Sequence, residues 1–180
     1  MRLQTRSGTK RLGHRTYKTM LVLHVFSIAT WVGMDLAFGT LVLTAVLTDS
    51  RDIAATSLKA IEIFAVWPMF AASVAALLTG AVLALGTKYG LVRYWWVVVK
   101  LLINLLMCAL ILFSLRYGVA EAAEYGRRLE AGTAEQHPMS DLLYPVFVAP
   151  TLLMVAVILS VFKPWGRIGG RRSERRPLPR

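Results

Sequence analysis

The sequence predicts an all-α fold: a polytopic membrane four-helix bundle with both termini cytoplasmic. Three observations predict it. Four apolar stretches each reach the roughly 20 residues that a helix needs to cross a bilayer. Only 17% of the 180 residues are charged, against roughly 25% in ordinary soluble domains. The basic residues also concentrate on alternate links between the stretches. Together these exclude a disordered chain, a coiled coil and a typical soluble enzyme. The 21 basic and 10 acidic residues leave a net charge of +11. In a soluble protein that excess would suggest nucleic acid, but the long uncharged runs make it a membrane signal.

The first element is a basic arm, residues 1–18, carrying Arg2, Arg6, Lys10, Arg11, Arg15 and Lys18 and no acid. The first span, about 19–48, is apolar except for His24 and Asp35. It is too long for a signal-peptide core and carries an aspartate before any small-residue cleavage site, so it reads as a retained helix. A short first loop holds Arg51 and Lys59. The second span, about 60–87, has no charge from Ile63 to Thr87. Trp67-Pro68 should bend it. Its row Ala72, Ala76, Gly80 suits close helix contact.

A link with Lys88 and Arg93 leads to the third span, about 94–115, interrupted only by Lys100. Residues 116–141 form the one sizeable segment outside the spans. Their first half reads as a helical continuation of span three, with Glu124 and Arg128 at i,i+4 and Gly132 as its stop. His137-Pro138-Met139 reads as a turn, or as a weak metal-ligand pattern. The fourth span, about 142–162, should be distorted by Pro145 and Pro150. The tail, 163–180, is basic and rich in Gly and Pro, and reads as disordered. It lacks aromatic residues for base stacking, so its expected contact is anionic lipid and not nucleic acid.

Charge and parity agree on orientation. Fifteen of the 21 basic residues lie on the arm, the 88–93 link and the tail. The 116–141 segment carries three basic and five acidic residues, leaving −2. Four spans put both termini and the middle link on one side, which the positive-inside rule makes cytoplasmic. The expected location is the bacterial inner (plasma) membrane, multi-pass.

Cys108, the single cysteine, excludes an internal disulfide and reads as a small buried hydrophobe. The other interior polar groups cost energy where they lie, so they should face the bundle and find partners. His24, Ile28, Trp31 and Asp35 are spaced 4, 3 and 4, which puts them on one helical stripe. Lys100, Asn104 and Cys108 share another. His24 and Lys100 each lie roughly 8–9 Å in from the cytoplasmic start of their span, and Asp35 some 16 Å further out. Lys100 either snorkels to the headgroups or faces the interior. His24 either makes an interhelical hydrogen bond or serves as a ligand. If both nitrogens face one cavity, neutral imidazole and deprotonated amine are competent haem-iron ligands, with Trp31 as a pocket wall. Asp35 should be protonated, hydrogen-bonded with help from Thr30, Thr40 or Thr44, or open to water. Proton relay is the functional alternative there.

Leu23-His24-Val25-Phe26-Ser27-Ile28-Ala29-Thr30-Trp31-Val32-Gly33 resembles the H-x6-W-x-G first helix of a group of small bacterial membrane proteins. The group comprises the HemJ-type protoporphyrinogen oxidases, the copper-resistance protein D membrane domain and uncharacterised four-helix relatives. Trp96-Val97-Val98-Val99-Lys100-Leu101 resembles the W-x3-K-L of the HemJ-type third helix. The resemblance implies haem b bound through His24 and Lys100. Two features depart from it. The HemJ-type arginine late in the first helix is missing, and Asp141-Leu142-Leu143-Tyr144-Pro145 stands where that family has an Arg-Asn-Glu-Pro-like segment. The nearest resemblance is therefore to the uncharacterised branch. Three functions follow as expectations: a haem-binding, HemJ-like redox protein; a non-catalytic scaffold or accessory subunit in a homo-oligomer or larger membrane complex; or a small proton-linked transporter using Asp35.

Overall fold

The computed structural model describes residues 13–87, 90–134 and 142–163, together with Gly166 and Ile168. The arm's first twelve residues, Lys88, the His137-Pro138-Met139 pattern and most of the tail lie outside the described residues. The described chain is all-helical. In order it has α1 (His14–Leu47), α2 (Arg51–Phe64), α3 (Trp67–Leu85), α4 (Trp95–Leu110), a π-helical segment (Ile111–Leu115), α5 (Arg116–Glu130) and α6 (Leu143–Phe162). Four stretches, His14–Leu47, Arg51–Leu85, Trp95–Glu130 and Leu143–Phe162, are long and apolar enough to cross a membrane.

The first loop expected from the sequence is three residues, Thr48 to Ser50, and then α2. Thr48 adopts an extended conformation that ends α1, and the Ser50 side chain caps α2 by accepting from Ile53 N. Asp52 adds a carboxylate to the first turn, where the helix dipole favours it. Helix α2 is amphipathic: Ala54, Ala55, Ser57, Leu58 and Ile61 are buried, while Arg51, Asp52, Ile53 and Glu62 are exposed. Pro68 sits in the first turn of α3, where its missing N–H costs nothing. Its ring would clash with the carbonyl four residues back, at Phe64, and there α2 ends. The bend predicted at Trp67-Pro68 is thus a break at Ala65–Val66.

Helix α5 continues α4 as expected, but through the π-helical segment. The buried residues Met107, Ile111, Leu115 and Val119 advance by four three times. In a pure α-helix each step of four overshoots a turn by about 40°, so the stripe would drift about 120°. The wider π turn absorbs most of that drift. The end of α5 follows the Gly132 reading: Gly132 has φ 68°, its N–H bonds the Leu129 carbonyl at 3.1 Å, and Thr133 N–H bonds Arg128 O at 3.0 Å. That is a Schellman stop. Pro145 lies in the first turn of α6, and Pro150 lies within it.

Helix α1 packs on α3 and α6, and α4 packs on the same two, so α1 and α4 face each other across a diagonal. Farther along α1, α2 sits between α1 and α5. The α2–α5 contact depends on Gly126, where a Cβ would stand 3.0 Å from the Ala55 carbonyl oxygen and 3.1 Å from Leu58 Cβ. Charges flank the seam. Lys59 bonds Glu130 at 2.7 Å, and Arg127 bridges Glu62 and Glu124 at 2.9 Å each. Glu124 therefore pairs with Arg127 at i,i+3 and not with Arg128, because Arg127 also reaches Glu62 on α2.

The outer face of the four-helix portion is apolar. Phe26, Leu36, Leu78, Phe113, Phe147, Met154 and Phe162 are each more than half exposed. Ser27, Thr40, Thr44 and Thr151 on that face donate to the carbonyl four residues back on their own helix.

Candidate functional site

The 4-3-4 stripe of α1 faces the interior, as its spacing predicts. Trp31 and Asp35 are buried, and His24 and Ile28 partly so. What fixes His24 is α3. The ring lies against Gly80, where a Cβ would come within 2.9 Å of Cε1. His24 Nδ1 lies 3.0 Å from Thr79 Oγ1. Thr79 carries one hydroxyl proton and gives it to the Ala75 carbonyl at 2.6 Å. The Thr79 hydroxyl is thus used within α3, and its oxygen is placed to accept from the imidazole. An imidazole that donates at Nδ1 keeps its lone pair on Nε2.

Lys100 faces the interior from α4, on the far side of the diagonal. Its ammonium donates to Ser160 Oγ on α6, and Ser160 passes its own proton to the Ala156 carbonyl at 3.1 Å. Lys100 Nζ also stands 5.8 Å from the centroid of the Trp96 ring, one turn back on α4. A hydroxyl of α6 and an indole face of α4 are therefore the polar partners of Lys100. His24 and Lys100 thus both turn toward the interior, from helices that face each other across the bundle. Further along α4, Cys108 Sγ lies 3.3 Å from Ser73 Oγ on α3 and 3.5 Å from Asn104 Oδ1. Cys108 is a half-buried polar contact and not the inert hydrophobe of the sequence reading. Trp96 is buried, while Trp95 is exposed.

Asp35 stands apart from this group. It is 6% exposed, and its Oδ2 has no hydrogen-bond partner among the described residues. Thr40 and Thr44 do not help it, because each hydroxyl bonds a carbonyl of α1 itself. Trp31 Nε1, one turn away, is also buried without a partner. Asp35 lines a cavity of about 150 Å³ bounded by α1, α3, the π-helical segment and α6.

The donor set fits a haem iron by its chemistry: an imidazole nitrogen with its other nitrogen tied to a hydroxyl, and an amine held among the same helices. A hydrogen bond at the far ring nitrogen is the usual way a protein orients a metal-binding histidine. Thr79, Gly80 and Ser160 escaped the sequence reading. Gly80 had been placed in a row of small residues, but nothing in that spacing showed that the row receives an imidazole. No protein-family model, no curated protein and no solved structure matches this chain.

Proposed function

We propose that this chain is a four-span protein of the bacterial inner membrane, with both termini cytoplasmic, that holds haem b between His24 and Lys100. Insertion is supported by the apolar outer face, which is more extensive than a soluble monomer presents to water. The self-bonded hydroxyls on that face satisfy the demand that lipid makes on every exposed donor. Orientation rests on the charge count: the basic arm, link and tail lie on one side and the α2–α5 helices on the other. Alkaline phosphatase and green fluorescent protein fusions at residues 90 and 134 test it. An external signal at 90 overturns the topology.

The observation that carries the haem reading is His24 Nδ1 at 3.0 Å from Thr79 Oγ1, whose own proton serves the Ala75 carbonyl; an imidazole held that way turns Nε2 outward as the ligand atom. Lys100, which bonds Ser160, would be the second residue to hold the haem. Trp31 would wall the pocket. Bound haem supplies one-electron redox chemistry, and the chain's part is to orient the imidazole and exclude water. The likeness of spans one and three to HemJ-type proteins belongs to this proposal. Binding requires the amine lone pair, so it releases a proton and tightens as pH rises. The test is the absorption spectrum of protein purified after haem supplementation. A Soret band lost or shifted in both His24→Ala and Lys100→Ala, and kept in Asp35→Asn, supports the reading. A colourless protein overturns it in favour of a scaffold or accessory subunit.

A further inference from the structure

We propose that the Asp35 cavity is a second ligand site, which takes a small primary alkylammonium ion. It lies about 16 Å along α1 from His24, so it does not depend on haem. Three observations converge there. The carboxylate is buried, and one oxygen has no partner. Such a group is costly in apolar surroundings unless it takes up a proton or pairs with a cation. Asp35 lines a space of about 150 Å³, with Phe38 and Met69 beside it on the buried side. The remaining wall includes the π-helical segment, a deformation that often marks functional positions.

The chemistry selects the ligand. A hard metal ion needs about six oxygen ligands. The lining offers the Asp35 carboxylate, the Ser114 hydroxyl and the Tyr144 phenol, and the rest is mostly aliphatic or thioether. A primary ammonium needs only one anion, and its apolar body suits the other walls. The volume matches that of engineered cavities that hold a benzene-sized guest. That limits the body to about four to six carbons. Ser114, Tyr144 and Val148 are exposed, so the space opens between the π-helical segment and α6.

Calorimetric titration of the full-length protein in detergent micelles with n-butylammonium tests the proposal, with 1-butanol as the neutral comparison. Saturable binding of the amine is expected, at least tenfold tighter than that of the alcohol. Asp35→Asn keeps the side-chain size and should lower amine affinity at least tenfold. Ala149→Leu fills the cavity, leaves the carboxylate in place and should abolish binding. Equal affinity for amine and alcohol, no saturable binding, or wild-type affinity in Ala149→Leu would overturn the site. If Asp35→Asn fails to fold, the amine–alcohol comparison and Ala149→Leu still decide it. Loss of the Soret band alone leaves this result unaffected, so the two sites fail separately.

Discussion

The imidazole of His24 rests on the bare Cα of Gly80, and there is no room between them for a methyl group. A Cβ on Gly80 would stand 2.9 Å from Cε1. The clashing atom is the tip of a side chain, so in Gly80→Ala the ring should move and the helices stay. Alanine also gains about 1 kcal/mol of helix propensity over glycine. The thermal midpoint should therefore change little, while the His24–Thr79 bond breaks. A shifted or weakened Soret band with an unchanged melting curve is the expected result.

Thr79 acts through His24. Thr79→Val removes the acceptor of the Nδ1 proton and leaves a part-buried donor unpaired, at a cost of about 1–3 kcal/mol. Loss of such an orienting bond typically lowers metal affinity 10–100-fold. Thr79→Ser keeps the hydroxyl and should restore both stability and haem affinity. Haem titration of the two variants separates orientation from packing, since valine preserves the volume.

Gly126 differs from Gly80 because its neighbours cannot yield. The atoms that would meet a Cβ are a backbone oxygen and another Cβ, both on α2. Gly126→Leu should force α2 and α5 apart and cost about 1–3 kcal/mol. Amide exchange should rise in α2 and α5, with α3 and α4 unaffected. Uniform exchange across all four would mean that the two ends of the molecule unfold as one unit.

The charges on the α2–α5 seam should respond to salt and not to alkali. The hydrogen bonds that Arg127 donates to Glu124 first, then to Glu62, hold its guanidinium pKa above the ordinary value. A raised cationic pKa contributes below its unfolded value and is lost only as pH rises past the folded one. For arginine that window lies above the usual experimental range. Amide exchange in α2 and α5 should be the same at pH 7 and pH 9 once corrected for intrinsic rate. It should increase in 1 M salt, because exposed pairs are screened.

Particular residues show how much of this was legible in the sequence. The stripe His24-Ile28-Trp31-Asp35 was, because interior direction follows from helical period alone. The four apolar helices were legible too, and so was the helix stop at Gly132. Helix α2 was not: Arg51 and Lys59 made it look like a loop, although its buried residues follow a helical period. The partners Thr79 and Ser160 were hidden because hydroxyls on apolar helices usually bond their own backbone, as Ser27 and Thr151 do. Which hydroxyl also meets a neighbour depends on the order of helices around the bundle, which no local spacing contains. The solitude of Asp35 was hidden for the same reason.

The π-helical segment sets the phase between two helices that otherwise look like one rod. On one side of it, Cys108 is aligned toward Ser73 on α3; on the other, Gly126 is aligned toward α2. One residue corresponds to about 100° of rotation. Deleting a single residue between Ile111 and Leu115 would let the rod become regular, and the cost would appear elsewhere. Either Gly126 would turn off α2, or Lys100 and Cys108 would turn off Ser160 and Ser73. The stretch Trp95–Glu130 thus works as a coupling of fixed angle, and its one irregular turn allows a single helix to mesh with two differently oriented sets of neighbours.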